Sequence, residues 1–464
     1  MTLSMTPPMT PDSLAIAPIL IRGAQVLLPS GAIEVRDVAI AGGRITAVGT
    51  DLPTDASTRV IAAQGLTLLP GVIDPQVHFC TSGEAYEEAL FTETCAAAKG
   101  GVTSFLEIPN TPPITTTQAV VTRKLAIAEA QSLINYGFFI GATHSNHKAL
   151  QAAKPTCGIH VTMGAGHSPP IPSPLLVDTL EALEPIFATG DRLIAVHAEN
   201  QARITERAQQ FALETDPATH TRVQDNQTAL LATKIALGLS KAYQRRLHIL
   251  QVSTGEEADL LRSDKPSWVS TSVSPQHLLL DMSAYETMGT LAQTNPPLRY
   301  ACDGEALPKE DRDLLWQALN DGIIDFIATG HVPHSMTAKS QGYPHAPSGM
   351  PGVETALPLM LTQTKKNHCT IAQVCDWMST AVADAYRIPN KGLIEPGYDA
   401  DLVLVDMATY RPVVRKELQT RCQWSPFEGW NLTGWPVMTI VGGQVVYDYG
   451  QVDISVRGQA LQFG

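Results

Sequence analysis

The chain has 464 residues, 44% of them hydrophobic and 17% charged, which is the composition of a globular protein long enough for two or three domains or one large barrel. Lysine and arginine number 32 against 45 aspartate and glutamate residues, and the resulting net charge of −13, without a long Lys/Arg run, argues against a nucleic-acid partner. No stretch approaches the roughly 18 uninterrupted apolar residues of a membrane helix, the start lacks a secretory-signal pattern, and the seven scattered cysteines fit reduced thiols, so we expect a cytoplasmic protein with no membrane partner.

The two ends of the chain have a similar pattern of short apolar runs separated by glycine. Residues 1–16 carry several prolines and are predicted to form a flexible N-terminal arm. Residues 17–66 are predicted to form hairpins, and residues 391–464 repeat the pattern before a C-terminal tail. Because two β segments at opposite ends can pair, we predict one small β-sandwich domain built from both chain ends.

The central segment, residues 67–390, alternates short β-branched runs with longer helical patterns, which is typical of βα units around a parallel sheet. Eight strands are predicted, at residues 68–79, 102–109, 136–143, 158–163, 193–198, 247–252, 268–273 and 325–329. Eight is the strand number of a closed (β/α)8 barrel. The predicted fold class is therefore α/β, a TIM-like barrel beside the small sandwich.

In such a barrel the chemistry lies at the carboxyl ends of the strands. Histidines stand near several of the predicted ends, and three of them from different strands could converge on a metal. Strand-end histidines also serve as hydrogen-bonded wall residues, so the spacing leaves both roles open. Cys80 beside His78 is better explained as a buried inert thiol than as a nucleophile. Glu199 either orients the His197 ring or forms a salt bridge.

Several short sequence motifs together resemble those of the dihydroorotases of the cyclic amidohydrolase group. They include PGVIDPQVHF, IPNTPP, HILQVST, NPPLRY, ATGHVPHS and EPGYDADLVLVD, in the order of that family, and the likeness covers about residues 18–460. Allantoinases and dihydropyrimidinases are similar more distantly. The resemblance implies a (β/α)8 barrel with a composite β-sandwich, a centre of one or two zinc ions, and reversible hydrolysis of a cyclic amide.

The metal positions implied by this resemblance are only partly retained. The His-x-His motif of the first strand corresponds to Gln76 and His78, and the carbamylated lysine of the fourth strand corresponds to His160. The fifth-strand histidine is matched by His197, whereas the sixth-strand histidine is replaced by Gln251. Glutamine is a poor zinc ligand beside neutral imidazole, so the implied two-metal centre is incomplete.

The residues that the resemblance implies as general base and as substrate-carboxylate ligand are also replaced. The eighth-strand aspartate, which in the family binds metal and takes a proton from water, corresponds to Gly330. Loss of a positioned general base costs on the order of 10²- to 10⁴-fold in rate. The arginine that grips the substrate carboxylate corresponds to Cys80. Other implied substrate contacts are matched by Asn110, Asn295 and His334. No catalytic residue is therefore assigned.

Two main functional hypotheses follow, and we favour the first. The first is that the chain is a dihydroorotase-like pseudoenzyme with a structural, binding or regulatory role tied to pyrimidine biosynthesis. The resemblance implies aspartate transcarbamoylase as a partner and a homodimer as a further assembly. Alternatively, the chain is a hydrolase on another cyclic amide with one zinc ion held by His78, His160 and His197, and Glu107 or His331 as base. The cofactor prediction is thus none or one zinc ion. An ordinary zinc dihydroorotase ranks below both.

Overall fold

The computed structural model describes residues 17–81, 85–164, 173–299 and 308–464, so the predicted arm at residues 1–16 lies outside the described residues. The strands are β1 Ile19–Leu27, β2 Ile33–Ala41, β3 Arg44–Gly49, β4 Arg59–Ala62, β5 Thr67–Pro70, β6 Val72–Val77, β7 Val102–Glu107, β8 Asn135–Phe138, β9 Ile140–Gly141, β10 Ile159–Thr162, β11 Ile194–His197, β12 Leu247–Ile249, β13 Val269–Val273, β14 Phe326–Ile327, β15 Leu402–Asp406, β16 Arg411–Pro412, β17 Asn431–Leu432, β18 Trp435–Val441, β19 Gln444–Asp448 and β20 Gln451–Val452.

The helices lie mostly between the barrel strands. They are α1 Tyr86–Lys99, α2 Gln118–Gln131, α3 His147–Ala152, α4 Leu180–Phe187, α5 Gln201–Gln210, α6 Thr219–Val223, α7 Asn226–Tyr243, α8 Gly255–Asp264, α9 Pro275–Leu279, α10 Ser283–Met288, α11 Pro308–Asn320, α12 Met336–Lys339, α13 Ala356–Lys365, α14 Ile371–Cys375 and α15 Ala381–Tyr386. In the described ranges no helix combines the length and apolar character that crossing a membrane requires.

Both ends of the chain meet in one sheet, as predicted. Its strand order is β20-β19-β18-β15-β5-β1-β2-β3, and β4 pairs with β1. The two ends join where β15 runs antiparallel to β5, with Leu404 opposite Leu68. Alternate side chains of these strands, such as Ile21, Val38 and Ile440, are buried in a core of their own, as expected for strands with one apolar face.

The central strands form the predicted parallel barrel. β9 to β14 make one parallel sheet in chain order and β6 to β8 make another. A parallel bridge between Val77 and His331 links the first barrel strand to the segment after the last, and β8 continues directly into β9 on the other side. The carboxyl ends of the strands therefore lie at one mouth of the barrel, where the candidate site residues follow.

The first predicted barrel strand, at residues 68–79, is two strands with different partners. β5 pairs with β1 and β15 in the terminal sheet, whereas β6 pairs with β7 in the barrel. The break falls at Gly71, where a Cβ atom would overlap the side chain of Thr103. The chain therefore passes from the terminal sheet into the barrel at this glycine. The predicted domain boundaries at 66/67 and 390/391 stay predictions.

The C-terminal tail packs against the barrel. The Tyr136 amide donates to the Gln459 carbonyl at 3.0 Å, and the Leu461 amide donates to the Tyr136 carbonyl at 2.9 Å. Leu461 is buried in a cluster at the barrel that also contains Ile73 and Phe139. The tail thus adds an extended segment beside β8.

Candidate active-site centre

The barrel places the predicted residues at its carboxyl-terminal mouth. Gln76 lies in β6 with His78 just beyond it, and His160 lies in β10. His197 is the last residue of β11, and Gln251 follows β12 by two residues. Because the strands are parallel and adjacent, these side chains come from one end of the barrel.

The two glutamines at the implied metal positions bind each other. The Gln76 amide nitrogen donates a hydrogen bond to Gln251 Oε1 at 2.7 Å. Both side chains are buried, and Gln76 Oε1 has no hydrogen-bond partner in the described part of the chain. A direct amide pair therefore spans the first and sixth barrel strands, where the dihydroorotase resemblance implies two histidine ligands of zinc.

Gly330, which follows the eighth barrel strand, packs against the Gln251 side chain of this pair. Gly330 has a φ of +61°, in the left-handed region that favours glycine. A Cβ atom at this position would overlap the amide nitrogen of Gln251. An aspartate at position 330 therefore requires the terminal amide of Gln251 to move, so the residues at 251 and 330 are coupled by packing.

His78 and Asn110, predicted separately as a metal ligand and a substrate contact, bind each other. The distance from His78 Nδ1 to Asn110 Oδ1 is 2.7 Å. Because the amide oxygen only accepts, the imidazole carries its proton on Nδ1. Burial lowers the pKa of His78 to about 4, with smaller contributions from His331 and Lys124. The ring is therefore neutral at neutral pH.

His160 and His197 are also buried neutral rings. Burial, together with the neighbouring His197 and His78, lowers the pKa of His160 well below its usual value. Burial, then Arg299 and His78, lower the pKa of His197 to about 4. His197 Nε2 has no hydrogen-bond partner among the described residues. The three predicted histidines thus lie close enough to influence one another electrostatically.

Proximity does not make these rings a metal-ligand set. Among residues 17–81, 85–164, 173–299 and 308–464, no group of three or more His, Cys, Asp or Glu side chains is arranged to hold a metal ion. Gln251 Oε1 accepts from Gln76, which leaves only Gln76 Oε1 as an unpartnered amide oxygen of the pair among the described residues, and an amide oxygen is a poor zinc ligand beside imidazole. The residues as placed do not fit a zinc ion, and the centre of His78, His160 and His197 stays a prediction.

Both residues considered as a replacement base are engaged in contacts, although Glu107 Oε1 has no hydrogen-bond partner among the described residues. Glu107 is paired with Lys124, whose Nζ lies 2.7 Å from Glu107 Oε2, and it also accepts from the Tyr86 hydroxyl at 2.8 Å. His331 contacts Glu93 through Nε2 at 3.1 Å and accepts the Gly352 amide on Nδ1 at 3.0 Å. The Glu107 and His331 side chains are both buried, and these hydrogen bonds and ion pairs hold them in the barrel wall.

Glu199 forms a salt bridge, one of the two roles that the sequence left open. Its partner is Arg299, and both side chains are fully buried. Arg299 also donates to the Gln224 carbonyl at 2.6 Å and to Ser253 Oγ at 3.1 Å. Burial raises the pKa of Glu199, and the Arg299 guanidinium opposes that rise by stabilising the carboxylate. The sequence analysis missed Arg299, although it lies in the NPPLRY motif.

The remaining predicted substrate contacts, Asn295 and His334, lie in loops that are held together by hydrogen bonds. Asn295 is half-buried, and its Oδ1 has no hydrogen-bond partner among the described residues. Burial lowers the pKa of His334 to about 4. Lys339 donates to the carbonyls of Gln293 at 2.9 Å and Gly349 at 3.1 Å, and so ties together loops beside Asn295 and His334. Their role as substrate contacts stays a prediction.

The barrel, the terminal sheet and the strand-end positions define the architecture of an amidohydrolase. The family model described as the amidohydrolase family matches residues 67–446, and the chain belongs to this family. Within it, the chain is of the cyclic amidohydrolase type represented by dihydroorotases and hydantoinases.

Individual relatives agree with this placement. The chain is 30% identical over 457 residues to a dihydroorotase of Methanosarcina acetivorans, covering 93% of each chain. It is 33% identical over 417 residues to a dihydroorotase of Halobacterium salinarum, covering 89% of this chain and 94% of the relative. The solved L-hydantoinase (dihydropyrimidinase) from Arthrobacter aurescens is similar in structure, with a TM-score of 0.86 and 27% identity over 96% of this chain and 99% of that one.

Proposed function

We propose that this chain is a catalytically silent relative of dihydroorotase that acts as a binding or structural subunit. The observation that carries the proposal is the hydrogen bond of 2.7 Å between Gln76 and Gln251. It joins two positions at which the resemblance implies zinc ligands, and the terminal amide of Gln251 would have to move to admit a side chain at Gly330. The proposal is supported because Gln76, Gln251 and Gly330 stand where the resemblance implies two metal ligands and the carboxylate base, the groups that activate water for amide hydrolysis.

The proposed partner is aspartate transcarbamoylase, in pyrimidine biosynthesis in the cytoplasm. Its support is the resemblance to dihydroorotases, whose silent members serve as structural partners of that enzyme. The same proposal includes a homodimer of this chain. Co-purification of a transcarbamoylase with the tagged chain is the expected result. Absence of that enzyme from the purified material, together with its normal assembly in a deletion strain, would contradict the choice of partner.

The absence of catalysis is tested by dihydroorotate hydrolysis, measured in both directions with added zinc. The expected rate is no greater than that of a buffer control. The matched variant combines Gln76→His, Gln251→His and Gly330→Asp, since these three changes restore the implied ligands as one unit. Turnover by the unaltered chain at a rate typical of enzymes, about 1 s⁻¹ or more, would refute the proposal.

A second candidate is favoured by one observation, the buried Nε2 of His197 that has no partner among the described residues. In this candidate His78, His160 and His197 rearrange around one zinc ion, and the substrate is a cyclic amide other than dihydroorotate because Cys80 stands where the resemblance implies an arginine. About one zinc per chain that is lost in a His197→Gln variant would support it. Equal zinc content in the unaltered chain and the variant would contradict it.

A further inference from the structure

Four arginines lie together near the amino-terminal ends of the fifth and sixth barrel strands. Arg192 precedes β11, and Arg245 and Arg246 precede β12. The two strands are paired in register, and the Ile194 amide donates to the Arg246 carbonyl at 3.1 Å. Arg387 follows α15, which is held to Arg246 by a hydrogen bond of 2.7 Å to the Ala385 carbonyl. This end of the barrel is opposite the mouth that carries the candidate centre.

Arg245 is a buried residue, and two of its three guanidinium nitrogens have no hydrogen-bond partner in the described part of the chain. Only 3% of the residue is exposed, and neither Nε nor Nη1 has a partner among the described residues. The group packs near Gly190, where a Cβ atom would lie 3.5 Å from Nη1. A buried charge is costly when its N–H donors lack acceptors, and the carboxylate that acts on Arg245, Asp191, is exposed to solvent and forms no hydrogen bond with it. Such a group points to a ligand that would supply those acceptors.

The surrounding arginines are held in place by neutral groups. Arg192 donates to the Leu150 carbonyl at 3.0 Å and the Gln151 carbonyl at 3.1 Å. Arg246 is held by the Ala385 carbonyl in the same way. Backbone carbonyls orient a guanidinium but do not neutralise it, and each guanidinium has five donors, so further donors remain.

The acidic groups near the cluster are few. Asp191 adjoins Arg192 in sequence and is exposed, and Asp384 lies three residues before Arg387 and is also exposed. Burial and the neighbouring Arg192 and Arg246 lower the pKa of Arg245, while Asp191 raises it. In a chain of net charge −13, four clustered arginines with two exposed acids leave a local positive charge. This charge suits a dianion better than a single carboxylate.

We propose that this end of the barrel is a binding site for a phosphate group, with the Arg245 guanidinium at its base and Arg192, Arg246 and Arg387 around it. The planar guanidinium presents paired N–H donors that match phosphate oxygens, which favours this ligand class. The ligand is inorganic phosphate or a small phosphate monoester, since Arg245 is too deeply buried for a bulky surface to reach. The site is independent of the silent centre at the other end of the barrel.

Calorimetric titration of the full chain with inorganic phosphate, at constant ionic strength in chloride, tests the proposal. Saturable binding at one site is expected, weakened tenfold or more in Arg245→Gln and in Arg387→Gln. Arg123→Gln is the matched control, because it removes the same charge from an exposed arginine on α2, and its Kd is expected to equal that of the unaltered chain. Tighter binding of ribose 5-phosphate than of phosphate identifies a monoester, whereas equal binding identifies the free ion.

Three results would overturn the phosphate site. They are the lack of saturable binding by the unaltered chain, an unchanged Kd in both Arg245→Gln and Arg387→Gln, and an equal loss of affinity in Arg123→Gln. If Arg245→Gln does not fold, Arg387→Gln decides the outcome, because that side chain is exposed and its removal leaves the core intact.

Discussion

At the residue scale, the centre is defined by contacts among Gln76, Gln251 and Gly330, three positions at which the dihydroorotase resemblance implies other residues. Gln251 bonds to Gln76 and fills the space that a side chain at position 330 would need. An aspartate introduced at Gly330 would therefore have an unfavourable φ, and its Cβ atom would overlap the Gln251 side chain. The three positions act as one packing unit and not as three independent losses.

Gly330→Asp alone is expected to destabilise the fold by about 1–3 kcal/mol, because it combines left-handed backbone strain with overpacking against Gln251. Adding Gln251→Ala is expected to recover the overpacking part. Gly322→Asp is the matched control, since Gly322 has a φ of +70° but no atom within 4 Å of its Cβ position. The measurement is urea unfolding. Equal losses in Gly330→Asp and Gly322→Asp would contradict the overlap with Gln251.

The buried pair of Glu199 and Arg299 permits a second test at this scale. Arg299→Met leaves the Glu199 carboxylate buried without its counterion, so a loss of about 3–5 kcal/mol is expected, and Glu199→Gln in the same chain should recover part of it. Arg262→Met breaks an exposed pair with Asp321 and should cost about 1 kcal/mol or less. Comparable losses from both single variants, measured by denaturant unfolding, would show that burial does not govern the first pair.

Sequence reasoning predicted at which end of the barrel the candidate residues lie, but not which of them contact each other. His78, His160, His197 and Gln251 could be placed at the barrel mouth because parallel strands end together. The bond between Gln76 and Gln251 joins positions 175 residues apart, and no local pattern encodes which of their atoms meet. The salt bridge of Arg299 with Glu199 was missed for the same reason.

At the element scale, the alternation of strand and helix patterns predicted the barrel. The local sequence did not predict which strands the first and last segments of the barrel would pair with. The predicted run at 68–79 contains Pro70 and Gly71 at the break, but this pair alone does not show that β5 and β6 join different sheets. The tail segment that pairs with Tyr136 is similarly short and irregular in sequence. Which sheet a short segment joins depends on contacts with residues that are distant in the sequence.

The tail offers a prediction at this scale. Leu461→Ala is expected to cost about 2–5 kcal/mol, because it removes a buried side chain from the cluster beside β8. Gln462→Ala, at the exposed neighbouring position, should change stability by no more than about 0.5 kcal/mol. The free energy of unfolding from a urea titration measures both. A loss in Leu461→Ala as small as in Gln462→Ala would mean that the tail does not stabilise the barrel.

At the scale of the whole molecule, stability is coupled to the protonation of buried imidazoles. His277 accepts from or donates to Ser274 Oγ at 2.6 Å and contacts the Pro296 carbonyl at 3.1 Å, and burial lowers its pKa to about 4. The unfolded chain therefore binds more protons below pH 6.5, and the stability that His277 contributes is lost as the pH falls toward 4.

Relative to a His277→Gln variant, the unaltered chain is expected to lose about 2 kcal/mol between pH 7 and pH 5, at about 1.4 kcal/mol per pKa unit. His144→Gln, at an exposed position, should leave the pH dependence of the unaltered chain unchanged. Urea midpoints at a series of pH values measure the difference. A constant gap between the unaltered chain and His277→Gln across this range would contradict a depressed pKa.

The whole molecule is thus an amidohydrolase scaffold whose fold is intact and whose implied metal positions bond to one another. The most direct test is zinc content by elemental analysis, on protein purified without chelator after expression with added zinc. The unaltered chain is expected to hold less than about 0.1 zinc per chain, because two of its implied ligand positions carry glutamines, which are poor zinc ligands beside imidazole, and a third carries Gly330. The variant with Gln76→His, Gln251→His and Gly330→Asp is expected to hold substantially more. About one zinc per unaltered chain would contradict the account.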